Sequence, residues 1–177
     1  MAHYEEAYLD YLVHFHSTRD YFECHEIMED HWLESGKDVR WLALIQLAVA
    51  VYHERQKNWN GSNRLYERTR QHILANPQML ESLAIDENKL LMMVEERLER
   101  IHFRAEYEPF NLPLQDAELI ESARLRAEEK GLHWQSDDSA DPSLNPMVSR
   151  HKIRDRSEVV EAREKALAEK QKKREGQ

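Results

Sequence analysis

The chain carries a single cysteine, Cys24, among 177 residues. It has no internal disulfide to rely on, which fits a reducing, cytoplasmic setting. Only four glycines and five prolines interrupt it. Their scarcity, beside abundant Glu, Leu, Ala, Arg and Lys, argues for an all-α protein. No apolar run approaches the ~18 residues that a membrane-spanning helix needs, so no span is expected. The opening stretch, Met1-Ala2-His3-Tyr4-Glu5-Glu6, has neither the basic nor the apolar region of a secretory leader. Glycine-rich phosphate loops, Gly-x-Ser-x-Gly elbows and Cys-x-x-Cys pairs are absent as well. ATPases, serine hydrolases and zinc ribbons thereby lose their strongest sequence support.

What the chain has in quantity is charge, unevenly placed. The formal net charge is −9, made of −13 over residues 1–149 and +4 over residues 150–177. An acidic body repels nucleic acid and speaks against a general nucleic-acid-binding domain. The basic end reads first as a solvated charged helix. Contact with RNA, a membrane surface or the acidic body of another copy are its alternatives, and the last would make a homo-oligomer.

Periodicity predicts the elements. Tyr4, Ala7, Tyr8, Tyr11, Leu12 and Phe15 recur at helical spacing, which predicts a helix over about 3–16. Ser17-Thr18 offers a cap for a second helix over about 19–34, and Gly36 sits in the break that follows. The third helix, about 39–57, is apolar nearly all round and belongs at a bundle centre. Asn58 and Gly61 read as closing that helix and turning the chain into a fourth, which Asn76-Pro77 ends. A fifth helix starts at Asp86-Glu87 with Leu90, Val94, Leu98 and Ile101 inward, and a sixth spans Asp116 to Lys130. Between them Pro109 and Pro113 bracket an extended segment.

The expected architecture is a compact multi-helix bundle of antiparallel hairpins, similar in build to tetratricopeptide hairpins but without an internal repeat. Residues 1–75 form its helical core and residues 76–134 complete it. A flexible linker at 135–149 and a charged helical arm at 150–177 follow.

The most informative stretch is Tyr21 to Trp32. Tyr21, Phe22, Met28 and Trp32 share one helical face, and His25 and Glu29 sit within it. An ionisable pair in an apolar stripe must be satisfied or it costs several kcal/mol. The second and third helices are joined by a short break and should be antiparallel. Residues whose numbers sum to about 73–74 then lie level. This arithmetic groups His25, Glu29 and Gln46, with His53 at the rim beside Tyr21, roughly 7.5 Å from the level of His25.

Three readings of that cluster stand side by side. One is a buried hydrogen-bond network that sets helix register. Another is a divalent-metal site on His25, Glu29 and His53. The motif His25-Glu26-x-x-Glu29 departs from the His-Glu-x-x-His of zinc proteases, because position 29 is Glu. The third is a ligand pocket between Tyr21, Trp32 and Tyr52. Glu26 is either paired, with Arg40 as a partner, or a general base. Trp32 and Trp41 read as core aromatics, and Cys24 as an inert thiol at the edge of the apolar face.

The motifs Phe22-x-x-His25-Glu26-x-x-Glu29-x-x-Trp32, Leu44-Ile45-Gln46-x-Ala48-x-Ala50-x-Tyr52-His53 and Asn58-x-x-Gly61 together resemble domain-of-unknown-function family 309, over roughly residues 18–75. The resemblance implies a small, all-helical, mostly prokaryotic protein, and it implies no established activity. Ser62 stands where that family usually has Ala.

Two functions follow as expectations. The favoured one is a non-catalytic binding or scaffold module that engages a protein partner through residues 150–177. The alternative is a metal-dependent, hydrolase-like or other acid–base enzyme using His25, Glu26, Glu29 and His53.

Overall fold

Five of the six helix-forming segments begin where an Asx side chain takes up a free backbone N–H, at Asp20, Asp38, Asn58, Asp86 and Asp116, in a computed structural model that describes residues 4–136. Residues 137–177, with most of the expected linker and all of the arm at 150–177, lie outside the described residues. Six α-helices follow in order: α1 Glu6–Val13, α2 Tyr21–Glu34, α3 Val39–Arg55, α4 Trp59–Ala75, α5 Glu87–His102 and α6 Ala117–Glu129. Each helix packs on the next from α1 to α5, and α6 returns to pack on α1. Among the described residues there is no strand beyond an isolated bridge between Ile85 and Leu114. No helix among them is long and apolar enough to cross a membrane.

The first helix does not run on to residue 16. After Val13 the backbone widens into a π-helical turn, His14–Thr18, and Arg19 takes a left-handed conformation with φ 56°. Thr18 lies too early to cap α2: its hydroxyl donates back to the His14 carbonyl and accepts from the Asp20 N–H. Asp20 caps instead, its Oδ1 accepting from the Glu23 N–H at 3.1 Å.

Antiparallel register between α2 and α3 is set by ring contacts at both ends of the hairpin. Phe22 meets Tyr52 with centroids 5.9 Å apart, and His31 meets Trp41 at 4.8 Å. Gly36 and Lys37, both at positive φ, make the reversal.

Asn58 opens α4 rather than closing α3. Its Oδ1 accepts from the Gly61 N–H at 3.1 Å, and a Cβ at Gly61 would lie 2.7 Å from the Asn58 amide nitrogen. Glycine is there to clear the cap. Ser62 beside it donates to the Ala50 carbonyl at 2.7 Å, tying α4 closely to α3.

The core is tyrosine-rich, and each buried tyrosine hydroxyl finds a partner. Tyr8 donates to the Leu83 carbonyl at 2.7 Å, Tyr11 to the Leu44 carbonyl at 2.8 Å and Tyr66 to Glu54 at 2.7 Å. These bonds join α1 to the turn before α5, α1 to α3, and α4 to α3. The chain also stays docked past α6. Ser136 N–H donates to the His16 carbonyl at 2.9 Å, so the tail is still attached one residue beyond the expected linker start at Gln135.

Candidate functional site

The inward stripe of α2 is Tyr21, Cys24 and Met28, all fully buried. His25 and Glu29 lie one residue on from Cys24 and Met28, which turns them about 100° away from that stripe. They form a pair, with His25 Nε2 donating to Glu29 Oε2 at 2.7 Å, but their side chains are 28 % and 47 % exposed. The cluster expected to be buried is therefore a flank of the hairpin. The stripe is centred on Cys24, a small apolar residue, and not on Phe22 and Trp32, which are half-buried. Cys24 is accordingly at the middle of the packed face rather than its edge. Its thiol donates to the Tyr11 carbonyl at 3.4 Å, and burial pushes its pKa well above the usual thiol range.

Of the other expected members, Tyr21 turns into the core, whereas His53 stays on the same edge as His25. Gln46 is half-buried and bonds neither His25 nor Glu29; its Oε1 is sealed from solvent without a protein partner, as is Trp32 Nε1. His53 Nδ1 accepts from the Asn58 amide at 3.1 Å. Arg40 is not the partner of Glu26: it forks onto Asp38 at 3.0 and 2.8 Å and reaches Ser82 at 2.7 Å. Tyr21 points into the core, its hydroxyl 2.5 Å from that of Tyr107. Tyr21 and Trp32 are eleven residues apart, roughly 16 Å along the helix, and do not wall one pocket. Among the described residues no three metal-ligating side chains converge.

What the structure does assemble is a row of rings along the outer edge of α2 and α3. His25 lies 5.8 Å from Phe22, Phe22 lies 5.9 Å from Tyr52, and Tyr52 lies 5.7 Å from His53. All four are half-buried. On the same edge of α2, Phe22, Glu26, Glu29 and Leu33 recur at spacings of four, three and four, which makes one helical ridge. Leu33 is 53 % exposed. The ridge alternates apolar ends with acidic middles and holds no nucleophile beside a base.

The buried polar network lies elsewhere, at the C-terminal end of α3. Glu54 is only 1 % exposed and accepts from Tyr66 at 2.7 Å and from Arg97 Nη1 at 3.0 Å. Arg97 also donates to the Glu108 carbonyl at 2.7 Å and lies over the Phe110 ring. Arg55 donates to the Arg19 carbonyl at 2.7 Å and covers the rings of Tyr21 and Tyr107. Arg19 in turn donates to the carbonyls of Phe15, Phe110 and Ser136 and to the Asn111 side chain. These charges clasp the extended segment between α5 and α6 onto the bundle. Burial, and then the neighbouring Glu54, raises the Tyr66 pKa well above its ordinary value. Sequence reasoning missed the network although a signal existed: Glu54 continues the buried stripe Leu47, Ala50, Val51 at helical spacing.

Near the same clasp, His16 is fully buried and stacks on Trp134 with centroids 4.5 Å apart. Burial, with Arg19 adding to it, lowers its pKa to about 3; the Asn111 side chain works weakly the other way.

Comparison with known proteins adds a family and no activity. The profile of a domain of unknown function, DUF309, matches residues 8–65, which include both helices of the ridge and ring row. Over 174 residues the chain is 37 % identical to the uncharacterized protein YpuF of Bacillus subtilis (strain 168), covering 97 % of this chain and 99 % of that protein. No solved structure matches.

Proposed function

Because the chain belongs to the DUF309 family, whose name carries no activity, we propose from geometry that it is a non-catalytic binding module that engages a protein partner through the outer edge of the α2–α3 hairpin. The observation that carries this reading is the ridge Phe22, Glu26, Glu29 and Leu33. It leaves a large apolar side chain, Leu33, more than half exposed beside half-buried aromatics. Apolar groups at both ends of one helical edge, with carboxylates between them, offer a partner both burial and charge. A rigid two-helix support suits such a face, since little order is lost when a partner binds. The alternative is the acid–base reading on His25, Glu26, Glu29 and His53, in which Glu29 would orient His25.

The test is site-specific photo-crosslinking in living cells. A photoreactive residue replaces Leu33 in one variant and Leu125, 46 % exposed on α6, in another. Discrete protein adducts from position 33 and none from 125 are expected. Equal adducts from both, or none from 33, would sink the reading.

A further inference from the structure

We propose that the outer face of α4 and α5 is a two-fold interface with a second copy of this chain, in which α4 of each copy lies over α5 of the other. This face is separate from the α2–α3 edge. It carries Leu74, Met92 and Phe103, exposed by 54 %, 69 % and 72 %, three of the five large apolar side chains exposed among the described residues. On α4, Arg64, Arg68, Gln71 and Leu74 are all exposed and fall within about 120° of arc. On α5, Met92, Glu96, Glu99 and Phe103 are exposed and recur at spacings of four, three and four, one ridge within about 60° of arc. The charges of the two helices are opposite in sign. Arg64, Arg68, Glu96 and Glu99 have no side-chain partner among the described residues. The charges beside them are already engaged: Arg70 lies 3.7 Å from Glu67 and 3.6 Å from Glu95, and Arg100 donates to the Glu106 carbonyl at 2.6 Å.

The register within one copy makes this face self-complementary. Tyr66 and Arg97 share the Glu54 carboxylate, and Arg70 meets Glu95. These pairs show that α4 and α5 run antiparallel and which residues lie level. Arg68 lies level with Glu96, Arg64 with Arg100 beside Glu99, and Leu74 with Leu91 beside Met92. Lys89 lies level with Ala75, clear of both arginines. A two-fold axis between the helices and parallel to them exchanges α4 with α5 and keeps every level. Arg68 then faces Glu96 of the second copy, Arg64 faces Glu99 and Leu74 covers Met92, and each contact occurs twice. An axis across the helices would instead set Glu96 against Glu99 of the second copy, and like charges repel. Glu67, Arg70 and Glu95 flank the parallel axis, a polar centre that keeps the contact modest in strength and sensitive to salt.

Sedimentation velocity on the full chain, from ~1 to ~200 µM, tests the dimer. A monomer–dimer equilibrium is expected within that range. The double variant Arg64→Glu, Arg68→Glu should weaken it at least about tenfold, and so should Glu96→Lys, Glu99→Lys. Mixing the two variants should restore the dimer, because each then offers the other opposite charge at both contacts. Circular dichroism melts confirm that each variant folds. A chain that stays monomeric throughout would overturn the proposal. A dimer that both variants leave intact would overturn it as well, and so would a mixture of folded variants that fails to re-form the dimer.

Discussion

Replacing Glu54 by Ala should cost far more stability than replacing Glu29 by Ala, although the sequence places Glu29, not Glu54, in the more conspicuous motif. Glu54 is 1 % exposed, and its carboxylate takes bonds from Tyr66 at 2.7 Å and Arg97 at 3.0 Å. Its removal leaves the Tyr66 hydroxyl without its acceptor and the Arg97 cation without its counter-charge. Arg97 keeps the Glu108 carbonyl and the Phe110 ring, which softens the loss. Breaking one side of a buried pair costs about 3–5 kcal/mol, against a whole-domain stability of about 5–15. For a chain of this size that is a fall of roughly 10 °C in Tm. Glu29 is 47 % exposed and pairs with a neighbour one turn away. Its loss should cost under about 1 kcal/mol. Urea unfolding followed by circular dichroism, on both variants and on Glu54→Ala with Arg97→Met, measures the difference. Removing both charges together should recover part of the loss, because no bare buried cation remains. Equal losses from Glu29→Ala and Glu54→Ala would refute the placement of the buried network.

The remaining expectations concern His16 and the tail. The pKa of His16 is lowered to about 3, below the ~6.5 of the unfolded chain. Its contribution is therefore complete above pH 6.5 and is lost as pH falls from there towards 3. At pH 4.5 the loss amounts to about 3 kcal/mol. His16→Phe should remove that part of the acid sensitivity, read as the difference in urea stability between pH 7 and 4.5; an unchanged difference would mean that His16 is not sealed. A chain ending at residue 131 should melt roughly 5–10 °C below one ending at residue 138. The shorter chain loses the Trp134 stack on His16 and the Arg19 bonds to the Ser136 carbonyl. Matching melting curves would show that this tail adds nothing.

Much of the helical architecture was written locally. Asp86 and Asp116 precede α5 and α6 and cap them, as their positions suggest. Apolar spacing or flanking breaks marked all six helices, and a short break containing Gly36 implied an antiparallel hairpin whose register the Phe22–Tyr52 and His31–Trp41 contacts display. Local pattern was less sure at boundaries. Ser17-Thr18 looked like a cap, but a widened turn buries Ser17 and Asp20 takes the role. Asn58 and Gly61 looked like a stop and are a start, because the cap needs space that only the glycine leaves.

The sequence by itself determined the helices, their order, the central place of α3 and the pairing of His25 with Glu29, since each depends on residues within a few turns of one another. Tertiary structure alone decided which of the polar groups are buried. His25 and Glu29 are near-neighbours of the buried stripe, and one helical step of about 100° separates core from edge. Glu54, Arg97, Tyr66 and the carbonyl of Glu108 come from four separate stretches of chain. A buried charge is tolerated only where such partners meet it, and that meeting is a property of packing.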